Sequence, residues 1–286
     1  MNTFQSNIIN IYGEKGEAWI DELPQIVSAI SSRLDLRDLK EVTNLTYNYV
    51  LSGLQGNNPI ILKLGLDHEA LTREAFALRC FEGCGAVNVL AEDKGMLLLE
   101  RAVPGTSLRS YFPDQEHESI EIACKVMKKL HKANIPITHN FPHIKDWLTA
   151  LDKDSAIPDA YLKKAQKLRD QLLQTAKPDV LLHGDLHHDN ILQNDDDEAR
   201  HSFSEGGWLV IDPKGVIGSP MNEIWAFVMD IERDIPFVAQ YFNFRTQDVF
   251  NWYFVHVILA ACWNLEDNID ASLFLRIAAK AYKYVS

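Results

Sequence analysis

Residues 181–192 read LLHGDLHHDNIL. Within eight positions stand His183, Asp185, His187, His188, Asp189 and Asn190, pinned between short apolar runs. A cluster of this kind can hold a metal, cap a helix, or form a loop that positions groups for phosphoryl transfer. The last chemistry asks little of a protein: a cation on the phosphates, oxygen ligands for a divalent ion, and a carboxylate that takes the acceptor proton. Asp185 is the candidate for that carboxylate. Asn190, five residues on, offers a neutral amide oxygen to a metal, and Asp212, closing the strand-like GWLVID, offers a carboxylate. Magnesium prefers oxygen and keeps several waters, so Asn190, Asp212 and the phosphates of ATP would satisfy it.

Two further parts lie upstream. IILK puts Lys63 at the end of a β-branched run, where its ammonium could hold the α- and β-phosphates. Glu74 follows eleven positions later in a helical pattern and could pair with Lys63 to fix its aim. Each part alone has an ordinary reading as an exposed lysine, a solvated acid or a cap. Their order is the specific signal, and the interval from Asp185 to Asn190 equals that of a kinase catalytic loop. His183 reads as a support behind the loop, while His187 and His188 read as loop residues near substrate or solvent. Lys214 is either an exposed turn lysine or a cation for the transferred phosphate.

The elements that must carry these groups change character along the chain. Residues 14–30 place Trp19, Ile20, Leu23, Ile26, Val27 and Ile30 on one helical face. NLTYNYVLSG and NPIILKLG read as a hairpin, DHEALTREAFALRCF as a helix capped by Asp67, and AVNVL with GMLLLE as a second strand pair. Beyond RAVPGTSL the texture is helical: ESIEIACKVMKKLHKA, DAYLKKAQKLRDQLLQTA, NEIWAFVMDIERD, DVFNWYFVHVILAACWNL and LFLRIAAKAYKYV. Short strand-like pieces, DVLL, NILQ and GWLVID, interrupt them. The expected organisation is a nucleotide-binding N-lobe with a leading helix over 1–102, and a helical C-lobe over 103–286 carrying the catalytic loop and acceptor site. NDDDEARHSFSEGG reads as a solvated excursion between strands.

Composition excludes several classes. With 286 residues, 47% hydrophobic and 24% charged, the chain can bury a substantial core. A net charge of −12 argues against nucleic acid and is compatible with a cationic substrate. No apolar run approaches membrane-spanning length and the first residues lack a secretory pattern, so a cytoplasmic protein is expected, with no membrane partner. Cys80, Cys84, Cys124 and Cys262 show no metal or disulfide spacing and read as reduced thiols.

Taken together, LTYNYVLSG, IILKLG, GCGAVNVLAED, MLLLERAVPGTSL, LLHGDLHHDNIL and GWLVIDPKG resemble the aminoglycoside phosphotransferases. They most resemble the aminoglycoside/hydroxyurea resistance kinases, a subgroup that includes streptomycin 6-kinases. The resemblance covers roughly residues 40 to 220. It implies an α+β, bilobal, protein-kinase-like fold with a small antiparallel-sheet N-lobe and a larger, mainly helical C-lobe. It implies an enzyme that moves the γ-phosphate of ATP, with Mg2+, to a hydroxyl of a small polar or cationic acceptor such as an aminoglycoside or hydroxyurea. In that frame Lys63 matches the phosphate-binding lysine, Glu74 its helix partner, Asp185 the base, and Asn190 and Asp212 the magnesium ligands. Glu100 and Arg101 match the segment whose backbone receives adenine. VTNLTYNY lies where a loop covers the nucleotide; lacking glycines, it would cradle phosphate through Asn44, Thr46 and nearby amides. Asp189 stands where relatives commonly have Gly, and GSPMNEIWAF replaces the usual GDP followed by an Asp-Leu helix start.

Three rival readings are carried forward. One is a kinase of an unrelated sugar or amino-alcohol metabolite. Another is a nucleotide-binding protein with a degenerate kinase fold. The last is a metallohydrolase built on His188–Asp189 with His131 or His139 and Asp212. For a cationic acceptor, Asp230, Glu232, Asp234, Glu266 and Asp267 are the available acids, each also readable as a helix end or a solvated face.

Overall fold

The computed structural model describes residues 3–43, 45–114, 116–174, 178–195 and 207–286. The chain forms two compact units, Met1–Thr106 with Leu192–Ile211, and Ser107–Ile191 with Asp212–Ser286.

The first unit begins with α1 (Thr3–Tyr12) and α2 (Glu14–Leu34), followed by β1 (Leu36–Glu41), β2 (Tyr49–Gln55), β3 (Asn58–Leu64), α3 (His68–Cys80), β4 (Val89–Asp93) and β5 (Met96–Glu100). The strands make one antiparallel sheet in the order β1-β2-β3-β5-β4. Period-two alternation in β3 explains its two faces. Ile60, Leu62 and Leu64 join Phe4, Ile8, Leu23 and Ile30 of the leading helices in one core. Ile61 and Lys63 take the opposite face. There α3, whose N-terminus is capped by the Asp67 side chain accepting from Ala70 N–H, brings Glu74 to Lys63. LRDLKE, left without an element by its pattern, forms β1 with an irregular register between Arg37 and Lys40.

The chain continues as β6 (Pro104–Ser107), α4 (Leu108–Tyr111), α5 (Glu116–Leu130), α6 (Ile144–Trp147), α7 (Asp159–Gln174) and β7 (Val180–Leu182). It then returns to the first unit as β8 (Ile191–Asn194) and β9 (Gly207–Val210), which form a three-stranded sheet in the order β6-β8-β9. Residues 192–211 thus break the expected single boundary between 102 and 103. The reason is hydrogen bonding across the gap in sequence: Val103 N–H donates to the Asn194 side-chain Oδ1 (3.0 Å), Asp195 N–H to Val103 O (2.7 Å), and Val210 N–H to Gly85 O (2.8 Å). Residues 196–206, most of the expected excursion, lie outside the described residues.

β10 (Val216–Gly218) pairs antiparallel with β7, matching Val216 to Leu182 and Gly218 to Val180. The chain ends in α8 (Ile231–Phe242), α9 (Thr246–Glu266) and α10 (Ser272–Ala281). α9 is apolar on every side and buried from Asn251 to Cys262, so it forms the centre against which α7, α8 and α10 pack. NEIWAFVMDIERD, expected as one helix, is broken into a 3-10 turn, Pro220–Ala226, and the start of α8. The break has a local cause: Asp230 caps α8 by accepting from Glu232 and Arg233 N–H, while Asp234 reaches back to Met229 and Asp230 N–H. Among the described residues, no helix is long and apolar enough to cross a membrane.

Candidate active site

In the first unit, β3 and α3 bring Lys63 and Glu74 together. Lys63 Nζ donates to Glu74 Oε2 at 2.7 Å, and the two residues are only 5% and 7% exposed. A buried ion pair this short fixes the lysine's direction, because either partner left alone would be an uncompensated charge.

In the second unit, the turn after β7 gathers the remaining chemistry. Leu181 and Leu182 anchor β7 in the core, and Gly184 then adopts φ +84°, a left-handed conformation that glycine accepts without cost. Asp185 follows, partly exposed. Its N–H donates to His183 Nδ1 (3.2 Å), and its carbonyl accepts from His187 N–H (2.9 Å) and Asn190 Nδ2 (2.9 Å). The last bond closes the turn between the two residues that spacing had paired. It consumes the amide nitrogen of Asn190 and leaves Oδ1 as the atom this side chain can present to a cation.

Glu223 holds the turn from behind. Its carboxylate accepts from His183 N–H (2.7 Å) and Gly184 N–H (2.9 Å), and His131 Nε2 lies 3.4 Å away. Burial by itself would push this carboxyl up; the His131 hydrogen bond, the charges of His131 and His183 and the Gly184 N–H outweigh it and hold Glu223 below its usual value. Sequence reasoning did not single out Glu223. Its one signal is an acid inside the apolar run MNEIWAF, just after the strand that pairs with β7.

The backbone beyond Asp212 is tied to the same point: Lys214 N–H donates to His183 O at 2.7 Å. Asp212 itself sits at φ +59°, a conformation uncommon outside glycine that aspartate tolerates better than most residues. Lys214 Nζ reaches to 3.7 Å from Asp185 Oδ2, and His187 Nε2 lies 3.9 Å from Asp185 Oδ1. Asp189, beside Asn190, is paired with Arg109 of α4 at 2.8 Å.

Asn190 and Asp212 are oxygen donors, a set that suits magnesium and not a softer ion. Two of the imidazoles are engaged elsewhere. His188 Nε2 contacts Ser119 Oγ (3.2 Å); the ring is buried, against the expectation of a place near substrate or solvent, and burial lowers its pKa to about 4. His131 likewise lies on Glu223, which takes two imidazoles from the metallohydrolase reading; His139, its other option, stacks on Phe141. Among the described residues, no group of three or more His, Cys, Asp and Glu is arranged to hold a metal.

The other expected nucleotide residues have local partners of their own. Thr46 is exposed, with its carbonyl accepting from Asn7 Nδ2 of α1 (3.2 Å); Asn44 lies outside the described residues. Glu100 N–H donates to Asn88 O (2.9 Å) and Arg101 N–H to Pro59 O (3.2 Å), so both amides are committed within the sheet. Of the acids considered for a cationic acceptor, Asp230 and Asp234 are spent at the start of α8. Glu232 accepts from Tyr284 Oη and Glu266 pairs with Lys153 at 3.0 Å.

Residues 48–267 match the model of a family described as aminoglycoside/hydroxyurea antibiotic resistance kinase. A streptomycin 3''-kinase from Klebsiella pneumoniae is 28% identical over 251 residues, covering 81% of this chain and 89% of that one. A streptomycin 6-kinase from Streptomyces griseus is 26% identical over 226 residues, covering 74% and 69%. Among solved structures, a thermostable mutant of the aminoglycoside phosphotransferase APH(4)-Ia, bound to ADP and hygromycin B, superposes with a TM-score of 0.69. It is 12% identical and covers 90% of this chain and 97% of that one, a likeness of fold: bilobal, α+β and protein-kinase-like.

Proposed function

Because the chain belongs to the aminoglycoside/hydroxyurea antibiotic resistance kinase family, we propose that it transfers the γ-phosphate of ATP to a hydroxyl of a small polar acceptor. An aminoglycoside such as streptomycin is the first choice and hydroxyurea the second. The observation that carries this reading is the closed turn from Asp185 to Asn190, clamped by Glu223. The relatives' names support the acceptor class, and a net charge of −12 suits an amine-bearing molecule.

In the proposed reaction the acceptor oxygen forms a bond to the γ-phosphorus. The bond from phosphorus to the β–γ bridging oxygen breaks, and its electron pair leaves on ADP. Asp185 takes the acceptor proton. Lys63, aimed by Glu74, holds the α- and β-phosphates. Magnesium, when bound by Asn190 and Asp212, would neutralise charge on the phosphate oxygens. Asn44 and Thr46 belong to the segment we assign to covering the nucleotide, and the strand end at Glu100 and Arg101 to adenine. Since the amides of both latter residues are committed, an adenine-directed N–H must come from beyond Arg101.

The test is transfer of labelled phosphate from ATP to streptomycin and to hydroxyurea, with and without EDTA. Asp185→Asn should lower turnover about 1,000-fold, within the range for loss of a general base, while nucleotide affinity stays within about threefold of wild type. EDTA should abolish transfer. An Asp185→Asn variant that keeps a tenth or more of wild-type turnover would sink the assignment.

A further inference from the structure

We propose that Lys214 is a further catalytic residue, its ammonium contacting the phosphoryl group as it moves; this rests on the phosphotransferase reading above. The first support is fixation. Lys214 N–H donates to His183 O at 2.7 Å and Gly215 N–H to the same oxygen at 3.3 Å, and β10, which begins two residues after Lys214, pairs with β7. The side chain therefore departs from a rigid point beside the turn that carries Asp185.

The second is the looseness of its ion pair. Lys63 and Glu74 meet at 2.7 Å and Arg109 and Asp189 at 2.8 Å, but Lys214 stands 3.7 Å from Asp185, beyond hydrogen-bond range. An ammonium has three donors, and none of them is consumed at that distance. Its side chain is 55% exposed, so the charge is open to a ligand from solution.

The third is need. The transferred group spreads negative charge over three oxygens in the transition state, and a fixed cation beside it stabilises that charge without reorganisation. The nucleotide-covering segment VTNLTYNY offers neither glycines nor a cation. Arg109 is taken by Asp189. Among the described residues, Lys214 is the one lysine or arginine within 4.0 Å of an Asp185 oxygen, beside the place where the acceptor hydroxyl meets phosphorus. No bond to Lys214 forms or breaks; the acceptor proton still goes to Asp185 and the leaving electrons to ADP.

The experiment compares wild type, Lys214→Met and Lys214→Arg. It measures steady-state transfer to streptomycin, affinity for ADP, affinity for ADP with magnesium and tetrafluoroaluminate, and melting temperature. For Lys214→Met, kcat should fall about 100-fold, as for removal of one preorganised charge-stabilising group. The acceptor KM and ADP affinity should stay within about threefold, the pattern of an interaction made only in the transition state. Affinity for the tetrafluoroaluminate complex should fall with kcat, and Lys214→Arg should recover most of both. Unchanged kcat and unchanged tetrafluoroaluminate affinity in Lys214→Met, beside an active wild type, overturn the proposal alone. Equal losses in both variants with a lowered melting temperature overturn it too, as a structural effect. A wild-type protein that neither binds nucleotide nor transfers phosphate overturns the phosphotransferase reading and this proposal together.

Discussion

Glu223 answers two main-chain donors with one carboxylate, and the neighbouring histidines lower the pH at which its charge is lost. Its folded-state pKa lies below the usual carboxylate value, so the stability it contributes is present above that value and lost as pH falls through the folded one. His256 begins to act at higher pH, by the opposite chemistry. It is buried, bonded to Asn222 (3.1 Å) and stacked on Trp225, and burial lowers its pKa to about 3. Below pH ~6.5 the unfolded chain takes up a proton that the folded ring refuses, so stability falls from there downward. Each tenfold gap in proton affinity is worth about 1.4 kcal/mol. We expect the melting temperature to fall steadily between pH 6.5 and 4, and His256→Gln to flatten that slope while costing stability at pH 7. Parallel pH profiles for wild type and variant would contradict this. The Lys63–Glu74 pair and the turn that joins Asp185 to Asn190 were legible from type and spacing. Glu223 was not, because its partners are backbone atoms some forty positions upstream, and backbone atoms leave no mark in a sequence.

The turn between β7 and Asp185 depends on one missing side chain. A Cβ at Gly184 would stand 3.0 Å from the Trp147 ring, 3.1 Å from Val216 Cγ1 and 3.2 Å from Lys214 Cβ, at φ +84°. Gly184→Ala should therefore strain the backbone and crowd the strand pair, costing about 1–3 kcal/mol in urea unfolding. Turnover should fall more than tenfold, since small misplacements of reacting groups are expensive. Wild-type values for both would show that the turn is less constrained than its geometry implies. Among the elements, β3 and α3 were readable because alternation and a capping aspartate are local signals. β1 was missed because LRDLKE carries too little apolar alternation to declare itself; it is a strand because β2 pairs with it. The break before α8 was hidden for a related reason: Asp230 and Asp234 fit a helical pattern until their side chains are seen capping main chain.

At the scale of the molecule, the passage from a sheet-rich to a helix-rich region follows from texture, and the α+β class from the resemblance. What texture did not reveal is that the first unit is completed from a distance, by β8 and β9 pairing with β6 and with residues 85–87. A fragment ending at Thr106 lacks both strands and keeps unpaired edges, so it should show no cooperative melt and should aggregate where the full chain stays in solution. A sharp melt for that fragment would refute this. The same late return bears on biosynthesis. Roughly a hundred residues separate Thr106 from Ile211, some 5–20 seconds of elongation at ordinary ribosomal rates. Through that interval β6 and residues 85–87 wait without their partner strands, while about half of the helical unit is made.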